Sequence, residues 1–380
     1  MNLSPDVLVI GAGLVGAACA FALASAGLSV CVVDRTGPAA GTTAGGEGNI
    51  LVSDKLPGPE ARLALRSVAL WQSLAGPGTL EFEPKGGLVV AWDRGQLDAL
   101  LDLAAAQRAD GVLAEPLSVD EVRACEPALS CDLAGGVWYP QDCQVQPVQA
   151  AAWLLGEAMR LGARMSFGHD VLSGDRRGGV ITSRGRLAAG AVVNAAGPWS
   201  GEVAARLGGW LPVRPRRGHV LVTEPLPPMV RHKVYEADYV GTVVSDEAAA
   251  QCSSVVEATR AGTVLIGSSR EFAGWDRTPS IRTMAEMARR AVRLFPALGL
   301  VRAMRCYVGF RPASPDHLPL IGPDAAIPGL YHASGHEGAG IGLAPATAEL
   351  ITALITGSPS SLASAFAPAF APARLTREAA

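Results

Sequence analysis

Val7, Leu8, Val9 and Ile10 form an apolar run that no charge interrupts, the pattern of a strand buried on both faces. A Gly-rich turn over 11–16 follows, then an Ala-rich stretch of helical character to Ala26, with Gly27 as its stop and a second apolar run at 28–33. This order predicts a βαβ opening. Later apolar runs with β-branched character, at 87–91, 191–194, 219–223, 264–266 and 302–308, are interleaved with helical stretches at 97–108, 148–161 and 281–295. The class is α/β with an additional sheet. At 380 residues the chain exceeds the ~250–300 at which one core usually splits, so two lobes are expected. Composition marks no boundary except near the end, where Ala, Pro and Ser dominate 358–380 and little packing is expected beyond Phe366 and Phe370.

Charge removes one class of partner. With 35 acidic and 32 basic residues and no long Lys/Arg run, the chain lacks the basic field that a phosphate backbone requires, so no nucleic acid is expected. The seven cysteines show no C-x-x-C spacing, which argues against zinc or an iron–sulfur cluster and for reduced thiols; no metal is expected. The N-terminus enters its first strand without a basic leader, and no run of eighteen apolar residues is free of Gly, Pro or charge. The expectation is a cytoplasmic protein without a membrane span.

Gly11, Gly13 and Gly16 form G-x-G-x-x-G at the junction of strand and helix, the context in which this pattern is specific for a dinucleotide. The first glycine permits the tight turn, the second lets a pyrophosphate approach the backbone, and the third lets helix and strand pack closely. Asp34 falls at the end of the second strand, where a carboxylate accepts hydrogen bonds from ribose hydroxyls and disfavours a 2′-phosphate. The fold alone does not choose between NAD and FAD. Only one fingerprint is present, which disfavours a reductase carrying both.

Further segments make the choice. They are the fingerprint itself; Gly41-Thr42-Thr43-Ala44-Gly45-Gly46; the run from Val192 through Asn194, Ala195, Ala196, Gly197 and Pro198 to Trp199; and Gly309-Phe310-Arg311-Pro312 followed by Ser334-Gly335-His336 and Gly340-Ile341-Gly342-Leu343-Ala344-Pro345. On these the chain resembles, over nearly its whole length, the D-amino-acid oxidase and glycine oxidase family of FAD enzymes. The resemblance implies a Rossmann-like FAD-binding domain with a second, mixed-sheet α+β substrate domain, the glutathione-reductase-type FAD fold. The FAD-binding domain is expected over 1–85, 145–215 and 300–380, and the substrate-binding domain over 86–144 and 216–299. Expected cofactor contacts, besides the three glycines and Asp34, are Leu14, Val15, Arg35 and Val171. Small residues at Thr42, Thr43, Ala44, Gly45 and Gly46 let the backbone approach a flat ring, and Ala195, Ala196 and Gly197 pass near the pyrophosphate. Gly338, Gly340, Ile341 and Gly342 open a helix whose N-terminus faces an electron-rich end of the ligand, in this family the flavin C2 carbonyl region.

On the substrate side the resemblance makes Arg311 the carboxylate clamp, a role suited to a guanidinium fork; a structural ion pair with Asp316 is the alternative. Tyr307 lies four residues earlier on the same strand face, lining a pocket or the core. Glu47, beside Asn49, binds or orients a cationic amine, or is a solvated loop acid. His336 contacts the flavin or the substrate, or is structural, and His219 caps a strand. Tyr235 and Tyr239 lie where the family places a substrate tyrosine and have no assigned roles. The implied activity is oxidation of the C–N bond of a small amino acid or N-substituted amino acid, with hydride transfer from the α-carbon to non-covalent FAD. Sarcosine oxidases hold FAD through a cysteine, and Cys306 does not fall at that position. The stretch 46–55, with 135–140 and 145–147, looks closest to the FAD subunits of hydroxyproline, proline and opine dehydrogenases and of bacterial cyanide synthases, which implies hetero-oligomeric dehydrogenase subunits or another electron acceptor. A self-sufficient oxidase releasing peroxide and a non-catalytic flavin relay subunit are the alternatives.

Overall fold

The computed structural model describes residues 4–76, 80–239 and 250–376, which form two compact units. The first comprises Met1–Ala44, Gln146–Pro215 and Phe310–Ala380. Its centre is a six-stranded sheet in the order Leu320–Pro323, Leu330–Ser334, Ala191–Asn194, Val7–Ile10, Val30–Asp34 and Arg164–Phe167. All neighbours are parallel except the first pair. Helix Leu14–Ser25 packs against helices Pro147–Arg160 and Gly340–Thr356. Leu8, Ile10, Cys31, Val33 and Val192 instead build a core with Val203 and Leu207 and with Val171 and Val180 of a separate three-stranded sheet. A central strand covered on both faces reads as an uninterrupted apolar run, which is why Val7–Ile10 is legible in sequence.

The second unit comprises Gly45–Val145 and Arg216–Gly309. Residues 45–85 and 300–309 therefore fall here and not in the first unit as expected, because strand pairing draws the boundary and composition does not. Its eight-stranded sheet runs in the order Ala303–Ala313, Arg214–Thr223, Val264–Arg270, Gln251–Ala258, Lys233–Glu236, Gly87–Ala91, Gly135–Tyr139 and Glu115–Leu117. It is mixed, with Lys233–Glu236 parallel to Gly87–Ala91, and with the pairs running from Arg214–Thr223 to Lys233–Glu236 and from Gly87–Ala91 to Glu115–Leu117 antiparallel. Side chains alternate across its plane. Leu88, Val90, Leu221, Val234, Val256 and Ile266 turn to one side, where Met287, Ala291 and Leu294 of helix Ile281–Leu294 complete an apolar core.

The other side is buried as well, and carries polar residues beside a small apolar cluster of Val220, Val222 and Leu265. Tyr139, Lys233, Tyr235 and Glu257 point there, against the segment 47–55 and helix Arg94–Ala109. Gln107 donates to the carbonyls of Ser53 (3.0 Å) and Lys55 (2.7 Å) and accepts from the Tyr139 hydroxyl (2.8 Å). The Tyr235 hydroxyl donates to Ser53, whose hydroxyl bonds Asp142, and Asp142 also accepts from the backbone N–H of Val52 (2.8 Å). Lys55 is held by Asp54 (2.8 Å) and Glu60 (3.6 Å). Most buried polar groups on this face are thus matched to another, although Glu257 Oε1 has no hydrogen-bond partner among the described residues.

The C-terminal stretch departs from expectation. Helix Ser361–Phe370, with the Ser360 side chain accepting from the N–H of Ala363 (3.2 Å), buries Leu362, Phe366 and Phe370 and packs on helix Gly340–Thr356 and strand Leu320–Pro323. Its Ala and Pro content hid the helix and Leu362, which with Phe366 and Phe370 takes positions i, i+4 and i+8, one helical face. Residues 377–380 lie outside the described residues. No single helix among the described residues is long and apolar enough to cross a membrane.

Burial pushes the Asp142 carboxyl up to about 7 from an ordinary 3.8. Between those values the folded state holds more proton than the unfolded one, so this group's contribution to stability falls as pH rises through that window. Asp142→Asn is expected to remove that part of the pH dependence, on the order of a few kcal/mol. Thermal unfolding at pH 5 and pH 8 checks this, and identical slopes for the two proteins would count against it.

Candidate functional site

The Gly-rich turn is held by contacts that leave no room for side chains. A Cβ at Gly16 would lie 1.9 Å from the carbonyl oxygen of Gly11, and one at Gly11, where φ is +110°, would lie 2.4 Å from that of Ala195. Strands Val7–Ile10 and Ala191–Asn194 are parallel neighbours, so the turns at their ends meet. Gly13 is the N-cap of helix Leu14–Ser25 and offers no side chain to compete for the first-turn N–H groups. Leu14 N–H donates to Thr43 Oγ1 (3.0 Å), which anchors the 3-10 turn Thr42–Gly45 beside the helix start, and Thr42 Oγ1 donates to the carbonyl of Phe310 (2.5 Å). Val15 and Gly16 follow within the first helical turn.

Asp34 ties this turn together. Oδ2 accepts from Ala12 N–H (2.8 Å), and Oδ1 from the N–H of Thr36 (2.7 Å) and Gly37 (3.2 Å). The guanidinium of Arg35 lies 5.0 Å from the Trp199 ring centroid, and Trp199 also covers Gly41. Asn194 is fully buried and fixes the Ala195, Ala196 and Gly197 turn by donating to the carbonyl of Ser200 (2.8 Å). Behind it His332 bonds Asp324 (2.9 Å). Burial opposes charge on Asp324, but the bonds from His332 and from Ala326 and Ile327 N–H hold its carboxyl down to about 2. Val171 is a core residue of the small sheet, 3 % exposed, and its side chain packs in the apolar cluster.

Arg311 sits near the end of strand Ala303–Ala313, in the first unit. Its suggested partner Asp316 is taken by Arg374, whose Nε and Nη2 reach both carboxylate oxygens (2.7 and 2.9 Å). The Arg311 side chain instead passes beside Gly338, at which a Cβ would lie 3.7 Å from Nε. That loop is anchored to the same strand by Glu337, whose N–H donates to the carbonyl of Pro312 (2.9 Å). Gly340, Ile341 and Gly342 then open helix Gly340–Thr356. His336 is buried with Nε2 on Thr347 Oγ1 (3.0 Å), and burial brings its imidazole down to about 3, so it is neutral and braces the loop from inside.

The second unit holds Gly45, Gly46, Glu47 and Tyr307. Gly45 and Gly309 approach so closely that a Cβ on either would lie 2.9 Å from the other's backbone. Tyr307 donates to the carbonyl of Gly46 (3.2 Å), and burial together with Glu47 and Glu257 keeps its phenol protonated. Glu47 is not a solvated acid: it is 9 % exposed, accepts from Asn49 (3.3 Å) and covers Gly267. Tyr235 is bound to Ser53, and Tyr239 carries the Arg270 guanidinium 4.6 Å above its ring. His219 lies inside its strand, between Ser269 Oγ and the N–H of Ser280, and does not cap it. Lys233 and Glu257 were not anticipated; Glu257 is marked by a lone charge inside a strand-forming run, whereas Lys233 opens its strand among other charged residues and carries no such signal.

The profile of the DAO family, described as FAD dependent oxidoreductase, matches residues 6–354. The chain belongs to this family. It is 30 % identical to glycine oxidase of Pseudomonas aeruginosa, over 93 % of this chain and 96 % of the relative, and 29 % identical to the hydrogen cyanide synthase subunit HcnC of the same organism, over 93 % of each. The crystal structure of glycine oxidase from Geobacillus kaustophilus superposes with a TM-score of 0.87, at 27 % identity, covering 98 % of each chain.

This DAO-family protein is therefore an FAD-dependent oxidoreductase, and its first unit fits such a group: a glycine turn that a Cβ would fill, at a helix N-terminus, beside a strand-end carboxylate. Gly16→Val drives a side chain into the Gly11 carbonyl, so the purified variant is expected to lack the yellow colour of bound flavin. Absorbance at flavin wavelengths checks this, and stoichiometric FAD in the variant would overturn the placement.

Proposed function

We propose that the protein oxidises the carbon–nitrogen bond of a small amino acid or N-substituted amino acid at the α-carbon. Arg311 carries the reading. Arg374 bonds both carboxylate oxygens of Asp316, and a guanidinium lying beside a glycine loop at a strand end is suited to a carboxylate. The name of the glycine oxidase relative supports an amino-acid substrate. Residues 1–44, 146–215 and 310–380 hold FAD without a covalent bond, through the glycine turn, Asp34 and the helix opening at Gly340. When bound, FAD supplies the acceptor for the hydride leaving the α-carbon.

The protein's own part is orientation. Arg311 fixes the carboxylate, so that one face of the α-carbon is presented. Within the second unit, Tyr307, through Gly46, sets the backbone that carries Glu47. The α-carbon hydrogen leaves as a hydride, so no side-chain base is required at the α-carbon, and the imine product hydrolyses in water. Cys306, with its thiol directed to the carbonyl of Tyr307 and pushed up by burial, is a poor nucleophile for a flavin linkage. Electrons leave to a partner protein or other acceptor, a reading that the naming of the HcnC relative as a subunit supports.

Anaerobic mixing with glycine, sarcosine, proline, D-hydroxyproline and other D- and L-amino acids is expected to bleach the flavin with at least one compound, and slow recolouring in air identifies a dehydrogenase. Arg311→Met is expected to retain FAD and lose about 2–4 kcal/mol of substrate binding, read as a rise in the substrate Kd on the order of 100-fold. Unchanged affinity would return Arg311 to a structural role. Acid precipitation is expected to leave all flavin in the supernatant; flavin in the pellet would show a covalent bond.

A further inference from the structure

A polar row lies within the first unit, where the edge strand of the six-stranded sheet meets the small three-stranded sheet. Ser166 stands on strand Arg164–Phe167, His169 in the turn that follows it, and Thr182 at the end of strand Val180–Thr182. Ser166 Oγ is 2.8 Å from His169 Nε2, and His169 Nδ1 is 2.9 Å from Thr182 Oγ1. His169 and Thr182 are buried, whereas Ser166 is only partly so. None of the three has a part in the reading above.

The hydrogen bonds fix which atom holds each proton. The Thr182 hydroxyl donates its one hydrogen to the carbonyl of Gly185 (2.9 Å) and accepts from the N–H of Arg184 (3.1 Å). Toward His169 it has only a lone pair to offer, so Nδ1 carries the imidazole proton and Nε2 is bare. Ser166 is then the donor to Nε2. Burial, and after it the charge of Arg184, lowers the pKa of His169 and keeps the imidazole neutral. The guanidinium of Arg184 lies against Gly168, where a Cβ would come within 3.3 Å of its Cζ, and Nη1 donates to the carbonyl of Phe167 (3.3 Å). A cation thus stands beside the short stretch of chain that joins Ser166 to His169. The neighbouring carboxylates are engaged, Asp170 by Arg206 (3.0 Å), Asp175 by Arg186, and Asp34 by three backbone N–H groups. A hydroxyl whose proton points at a neutral imidazole, itself oriented by a third group, is the arrangement that makes serine a nucleophile.

We propose that Ser166, with His169 as its general base and Thr182 as the residue that positions the imidazole, forms an acyl-accepting site for activated carboxylic esters. Ser166 Oγ adds to the ester carbonyl carbon as its proton passes to Nε2. The bond from that carbon to the alcohol oxygen then breaks, and the alcohol leaves with the proton from Nε2. An acyl-serine and a free alcohol are formed, and no oxidant or reductant takes part. Arg184 supplies positive charge toward the oxygen that becomes negative. Water attacks the acyl-serine by the same route and restores the hydroxyl. The site is independent of the reading of the protein as an amine oxidiser.

The test uses the FAD-loaded protein and p-nitrophenyl acetate, with release of p-nitrophenolate and peptide mass mapping as readouts. An acetyl group is expected on Ser166. Its formation is expected to stop in Ser166→Ala and to slow on the order of 100-fold in His169→Gln, with the flavin spectrum unchanged in both. The rate is expected to follow the neutral imidazole, falling only below the ordinary histidine value of about 6.5. Thr182→Val is expected to move that inflection to lower pH, because the lost acceptor stabilises the imidazolium more than the neutral ring, and Thr182→Ser to restore it. A residue that only packs would leave the inflection in place. Acetyl groups on lysines with Ser166 unmodified, labelling of Ser166 at the same rate in His169→Gln, or an unmoved inflection in Thr182→Val would overturn the proposal and leave the row as a structural tie.

Discussion

The approach of helix Leu14–Ser25 to the strand before it is the constraint on which the first unit depends. Gly16 rests against the carbonyl of Gly11, and Gly11 against that of Ala195, so two loops separated widely in sequence are locked by the absence of side chains. Asp34 adds the polar half of the lock by gathering three N–H groups from two turns. Asn194 and the His332–Asp324 pair brace the same place from below the sheet. A cradle of this kind is rigid before any ligand arrives, so little ordering entropy remains to be lost on binding.

The second unit is organised differently, by an asymmetry between the faces of one sheet. One face follows the usual logic of apolar alternation under an amphipathic helix. The other buries tyrosines, a lysine, glutamates and an aspartate in a matched network around the segment 47–55. Burial of so many polar groups is tolerated only because almost every donor meets an acceptor. Such a network specifies one arrangement of the segment much more sharply than an apolar core would, and Glu47 is part of that segment.

What was legible in sequence follows from these two designs. The first unit is written in local terms: a continuous apolar strand, a glycine pattern and a strand-end acid within one short stretch, which fix the fingerprint and the fold family together. Strands Gly87–Ala91 and Ala191–Asn194 were readable to the residue because their alternation or continuity is uninterrupted. Strand Gln251–Ala258 was missed because its buried Ser253, Ser254 and Glu257 break the apolar pattern. Lys233, which meets Asn49 beside Glu47, comes from a strand nearly two hundred residues away, and only tertiary packing brings them together. His336 and Arg311 show the same limit, since Thr347 and Arg374, which decide how to read them, are set by tertiary packing.

The chain's end has a consequence of its own. Arg374, just past helix Ser361–Phe370, reaches back to Asp316 and the carbonyl of Leu318, on the segment that follows Arg311. Arg374 is therefore a clasp on the segment leaving the strand that carries Arg311. A substitution or a proteolytic nick at Arg374 acts at a distance on the orientation of that strand end.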